Sequence, residues 1–172
     1  MKHPFLLALA GALSLGVATT AIADHHAEAS STAPAMTAPA ATAPAEAYTA
    51  YRHNQMEAIG KHMKLLYMIS EGKAPFVGHA TAHAEAMHAL VETIPELFPA
   101  GTGPDKVKSD SLPEIWQQWG KFVELSKENA VETGKLVEAA KTGDVAKLKT
   151  QFQATRKSCG SCHDMFRVDD EH

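Results

Sequence analysis

Two thiols and an imidazole stand close to the end of the sequence, in the run Cys159-Gly160-Ser161-Cys162-His163. Thiols three residues apart with a histidine directly after the second form the C-x-x-C-H pattern of covalent haem attachment. Each cysteine can supply one thioether to a haem side chain, and the histidine can ligate the iron. On a helix, positions i, i+3 and i+4 project to one face, as a planar macrocycle requires. Other uses of such a pair fit poorly. A thioredoxin-like motif would sit near a βαβ pattern, and the chain shows none. A structural zinc site takes four ligands at paired spacings, and these two cysteines are the only ones in the chain.

The beginning of the chain points to export. Lys2 and His3 precede an apolar run from Phe5 to Val17, and Ala21-Ile22-Ala23 is a small-residue cleavage site. This reads as a secretory signal peptide over residues 1–23, cleaved after Ala23, with a periplasmic product. The run is short for a transmembrane span, and no later segment is apolar enough, so no stable membrane insertion is expected. Removing 23 residues from 172 leaves 149. Losing Lys2 takes 16 basic residues to 15 against 20 acidic, a net charge of −5. A negative surface, made more so by haem propionates, argues against nucleic acid or an anionic membrane as partner. After cleavage the chain would begin Asp24-His25-His26. A free amine with histidine third suits square-planar binding of Cu(II) or Ni(II).

Residues 24–46 are dominated by Ala, Pro, Thr and Ser. They cannot bury a core and read as a disordered linker. The folded domain is then 47–172, long enough for one core.

Within it the spacing predicts four helices. Met56, Ile59, Met63 and Leu66 form a stripe in a helix from about Tyr48 to Ser70, ended by Glu71-Gly72-Lys73-Ala74-Pro75. A second helix covers Phe76 to Thr93, with Ala84, Met87, Val91 and Ile94 on one side. A Gly- and Pro-rich connection follows. The third opens near Ser111 with Pro113 in its first turn and carries Ile115, Trp119 and Phe122. Thr142-Gly143-Asp144 ends it and caps a fourth, Val145 to Arg167. Val145, Leu148, Phe152, Cys159, Cys162 and Phe166 share one side of that last helix. The expected fold is all-α, an antiparallel up-down four-helix bundle with haem between facing helices.

A CxxCH on the last of four helices, after a first helix reading YRHNQMEAIGKHM, resembles the class II c-type cytochromes, the cytochrome c′ family. The likeness spans about residues 46–168. It includes KSCGSCHDMFR, the IPELFP end of the second helix and the PEIWQQWGKF start of the third. The resemblance implies one covalent haem c on Cys159 and Cys162, with His163 as proximal ligand. It implies that the first helix covers the distal face with the residue one turn after an arginine, here Met56 after Arg52. A thioether at that place looks like the low-spin Met/His-ligated branch, the cytochrome c-556 type. Such ligation serves electron transfer and raises the potential. Met63, two turns on, is the ligand if the register shifts, and plain core packing accounts for either methionine. By the same resemblance Arg52 contacts a haem propionate and Arg167 stands near the proximal face. Solvated helix arginines are the plain alternatives.

The function expected is a periplasmic monohaem cytochrome passing single electrons between unidentified redox proteins. The alternative is a five-coordinate cytochrome c′ binding nitric oxide or another small gas. A haem peroxidase would need distal acid–base groups, and His53 and His62 on the first helix are not aimed at the iron. No catalytic triad, carboxylate pair or phosphate loop is visible, so no enzyme is expected. Members of the family often dimerise through their first two helices, which makes a homodimer a further expectation. Trp116 and Trp119 are assigned to the core or a subunit contact. His79 and His83, an i, i+4 pair on the second helix, lack an obvious third ligand.

Overall fold

A computed structural model describes residues 36–169. The expected signal peptide, the Asp24-His25-His26 terminus and the linker up to residue 35 lie outside the described residues. The rest of the expected linker is ordered against the domain. Ala38 packs on the core, Pro39 accepts a hydrogen bond from Ala100 N–H at 2.6 Å, and the first helix already begins at Ala45.

Five helices follow in order: α1 (Ala45–Ser70), α2 (Ala80–Glu92), α3 (Glu114–Gln117), α4 (Trp119–Lys141) and α5 (Val145–Phe166). Short 3₁₀ turns at Val77–His79 and Ile94–Leu97 flank α2. Four of the five, α1, α2, α4 and α5, close a ring in which each touches two neighbours. Every adjacent pair is antiparallel. Gln55 in the middle of α1 donates to Leu90 O at the end of α2, while His62 further along α1 meets His83 near the start of α2. His88 reaches Thr133, while Glu85 faces Lys141. Asn129 meets Ser158, while Glu132 meets Gln151. Lys149 reaches back to Glu71. This is the up-down bundle the periodicity predicts.

The helix ends follow from local chemistry. At the end of α1, Gly72 takes φ +66°, and the N–H groups of Lys73 and Ala74 turn back to Met68 O. Gly143, at φ +67°, ends the α4–α5 turn. Asp144 then caps α5 by accepting from the N–H groups of Ala146 and Lys147 at 2.9 and 3.2 Å. The third predicted helix is broken. Gln118 leaves helical geometry at φ −118°, ψ 41°, so the turn at α3 and the long α4 are separate. Trp116 explains the break. Its indole N–H reaches Phe98 O and Pro99 O at 3.1 and 2.9 Å, tying the turn to the long connection rather than to the axis of α4. The second helix likewise starts later than expected, at Ala80, after the 3₁₀ turn.

The core takes the predicted stripes. Ile59 and Leu66 of α1, Ala84, Met87 and Val91 of α2, and Leu148, Phe152 and Phe166 of α5 are buried together with Trp119, Phe122 and Leu136 of α4. Phe122 stands edge-on to Phe98 and Phe166 at 4.8 and 5.5 Å, so aromatic contacts gather near the end of α5.

Candidate haem site

The last two turns of α5 carry both thiols and the imidazole. They are held at both edges. Phe152, Thr155 and Phe166 bury the inner side of the helix. Beyond it, Leu112 N–H donates to Phe166 O at 2.9 Å and Val168 N–H donates to Asp110 O at 2.8 Å, an antiparallel clamp centred on Ser111 and Arg167. The end of the motif helix therefore cannot fray without breaking tertiary bonds.

Cys159 and Cys162 are unpaired and half-buried, and Cys162 packs on the core. Burial raises the pKa of Cys159. Burial, and then the neighbouring Cys159, push Cys162 up to about 11. Both sulfurs are thus held as thiols, the form that adds S and H across a carbon–carbon double bond. A Cβ built on Gly160 meets nothing within 4 Å, so open space lies beside the pair. His163 is exposed by surface area, yet enough protein crowds its ring for desolvation to be the first cause of its lowered pKa. The positive charge of Arg167 is the second cause, opposed by Asp164. The neutral imidazole is therefore favoured, which is the form that ligates iron. Two adjacent free thiols with a neutral imidazole on one face fit covalent haem.

The facing helix is α1. Tyr67 and Phe152 meet at a ring-centroid distance of 6.1 Å, and Lys149 bonds Glu71 at 2.8 Å. From that contact, 11 residues back along α1 is Met56, and 11 residues forward along α5 is His163. At about 1.5 Å per residue both lie ~16 Å from the shared contact, level with one another on antiparallel neighbours. Met63 falls two turns short of that level. Met56 and Met63 are both half-buried and packed on the core.

Arg52 corrects the reading of a solvated helix arginine. It is 4% exposed. Its guanidinium donates to Leu97 O at 3.3 Å, Thr102 O at 3.4 Å and Thr49 Oγ1 at 3.2 Å, and it lies 4.6 Å from the centre of the Phe98 ring. Burial lowers its pKa, though a guanidinium remains charged in any event. Arg52 thus fastens the long connection across one end of the bundle. The sequence carried a signal for this: Arg52 occupies the apolar stripe of α1, four residues before Met56. Arg167 is exposed and caps α5, with its N–H on His163 O at 3.0 Å.

Sequence reasoning missed a polar seam between α4 and α5. Ser158, next to Cys159, donates to the buried Asn129 at 2.5 Å. One turn away, Gln151 and Thr155 both bond Glu132 O, and Gln151 also bonds the Glu132 carboxylate at 2.7 Å. Asn129 and Thr133 sit on the buried stripe of α4, and polar residues at such positions are the available signal.

With this geometry in hand, the chain can be set beside known proteins. The family model described as Cytochrome C' matches residues 47–167. The chain belongs to the cytochrome c′ family. Cytochrome c′ of Pararhodospirillum photometricum is 34% identical over 122 residues, covering 71% of this chain and 97% of the relative. Cytochrome c-556 of Agrobacterium tumefaciens (strain B2A) is 33% identical over 127 residues, covering 68% and 93%. Among solved structures, a nitric oxide complex of a leucine-to-isoleucine variant of cytochrome c prime from Alcaligenes xylosoxidans superposes with a TM-score of 0.68 at 27% identity, covering 74% of this chain and 98% of that one. As a family member the chain is a c-type cytochrome that binds one haem c covalently through Cys159 and Cys162. Among the described residues no helix is long and apolar enough to cross a membrane.

Proposed function

We propose that this cytochrome binds a small gas, of the kind represented by nitric oxide, at a five-coordinate haem iron in the periplasm. The observation that carries the reading is the similarity to cytochromes c′, among whose solved structures is a nitric oxide complex. In this reading His163 holds the iron from the proximal side. Met56, level with it on α1 and half-buried, covers the distal side as an apolar lid that a diatomic molecule must displace. The haem, when bound, would supply the iron that takes the gas. Arg167 biases the imidazole through its charge. Two of the five donors of Arg52 hold the long connection, a third bonds Thr49 of its own helix, and the remaining two are assigned to a propionate. Export rests on the leader over residues 1–23. Tyr51 and Leu65 are exposed two heptads apart on α1, which supports a homodimer through that helix.

One second reading has an observation of its own. Met56 is level with His163 and carries a soft sulfur, and a cytochrome c-556 is among the relatives. Ligation by Met56 would close the iron and make the chain a carrier of single electrons between redox proteins, because little then reorganises when an electron moves.

Absorption spectra of the holoprotein in both oxidation states, with and without carbon monoxide, decide between them. Gas binding expects a high-spin ferrous spectrum that shifts on carbon monoxide. A low-spin spectrum in both states that carbon monoxide leaves unchanged overturns it in favour of electron transfer.

A further inference from the structure

His62 of α1 and His83 of α2 turn their ring nitrogens towards each other across the helix pair. The two Nδ1 atoms are 3.2 Å apart, with ring centroids at 5.4 Å and planes 50° apart. Both side chains are half-buried, so each is held by its helix yet open to water. Two ligands on one tetrahedral ion at about 2.05 Å would be separated by ~3.3 Å, and two cis ligands of a square or octahedral ion by about 2.9 Å. The observed separation lies between these values.

We propose that His62 and His83 form a binding site for a divalent transition-metal ion that favours imidazole, with zinc as the type ion. The site is independent of the haem and of the choice between gas binding and electron transfer. The proton shared between the two Nδ1 atoms would move to an Nε2, each Nδ1 would give its lone pair to the ion, and water would complete the coordination. Among the described residues no three His, Cys, Asp or Glu side chains surround a common point, so two protein ligands are the full set in place. The local electrostatics agree. Burial, and then the charges of His62 and His79, disfavour protonation of His83 and so favour the neutral imidazole that a metal ion requires. His79, one turn before His83, is stacked on Phe76 at 5.1 Å and 10°. The ion would bridge the C-terminal half of α1 to the first turn of α2, where an imidazole-to-imidazole hydrogen bond already joins the two helices.

The test is a zinc titration of the mature holoprotein by calorimetry. Zinc is the probe because the Asp24-His25-His26 terminus suits square-planar copper or nickel instead. Wild type is expected to bind one zinc, and His62→Ala and His83→Ala each to weaken that binding at least tenfold. The double variant should be no weaker than either single one, because removing one ligand already destroys the chelate. His53→Ala, an exposed histidine of α1, should bind as wild type does. Zinc should also raise the melting temperature of wild type and not of the two variants. An unchanged haem spectrum in each variant shows that it has folded. Equal zinc affinity in wild type and His62→Ala, or no saturable binding by wild type, overturns the proposal.

Discussion

The end of α5 and the middle of α1 face each other at one level of the bundle, yet they are specified in opposite ways. The α5 site is five consecutive residues whose reactive atoms are half-buried or exposed. Its chemistry is contiguous in sequence, and the fold's task is to keep the helix end from fraying through the clamp at Ser111 and Arg167. On α1 a single side chain, Met56, matters, and nothing adjacent to it in sequence marks it out. Its level with His163 depends on the register between α1 and α5, fixed a long way off by Tyr67–Phe152 and Glu71–Lys149. Local chemistry thus survives loose packing, whereas a facing residue does not.

That contrast can be broken most directly at the thiols. Cys159→Ala combined with Cys162→Ala should abolish covalent haem entirely, read as loss of haem staining on a denaturing gel, whatever is done to α1. Covalent haem that persists would mean that attachment does not depend on the contiguous motif.

The next largest effect should fall on Arg52. Arg52→Leu leaves Leu97 O and Thr102 O without their buried donor and should cost about 2–4 kcal/mol in urea unfolding. Covalent haem should still form, since the motif helix is untouched. A stability within a few tenths of a kcal/mol of wild type would remove the fastening role.

Met56→Ala sharpens the comparison on the distal side. Truncating this half-buried methionine should cost about 1–2 kcal/mol, less than a fully buried one. Carbon monoxide should bind the ferrous variant several-fold faster, by stopped-flow, if Met56 is a lid. If wild type excludes carbon monoxide altogether and the variant admits it, Met56 is a ligand instead.

At the far end of α5, Asp144→Ala removes the cap and should cost about 1 kcal/mol of stability, with the haem spectrum unchanged. A shifted spectrum would show that the motif end feels the whole length of the helix.

The smallest effect should come from pH at the α4–α5 seam. Hydrogen bonds from Lys135, and then Gln151, hold the Glu132 carboxyl below its ordinary value. A carboxyl lowered in the folded state stabilises above its unfolded value of about 4.3, and that contribution is lost as pH falls through the folded value. Between about pH 5 and 3 the urea midpoint of wild type should therefore fall more steeply than that of Glu132→Gln. Parallel curves would leave the seam without a titrating member.

The four bundle helices were legible because each buries a stripe of 3.6-residue period, as with Ala84, Met87 and Val91, and because Gly72, Gly143 and Asp144 mark their ends. The break at Gln118 was not legible. It arises from Trp116 bonding carbonyls 17 and 18 residues earlier, a contact that no local pattern encodes. The same holds for the docking of Pro39 against Ala100 in a stretch whose composition reads as linker.

By itself the sequence determined the cofactor chemistry, since two thiols and an imidazole on one helical face need only a local helix to act together. It also determined the class of fold, because helical periodicity and its stops are local. Only the tertiary structure decided that Arg52 is a buried fastener, that Met56 rather than Met63 is level with His163, and that His62 and His83 meet. Each of these depends on the register between helices, set by the sum of many small packing contacts distant in sequence.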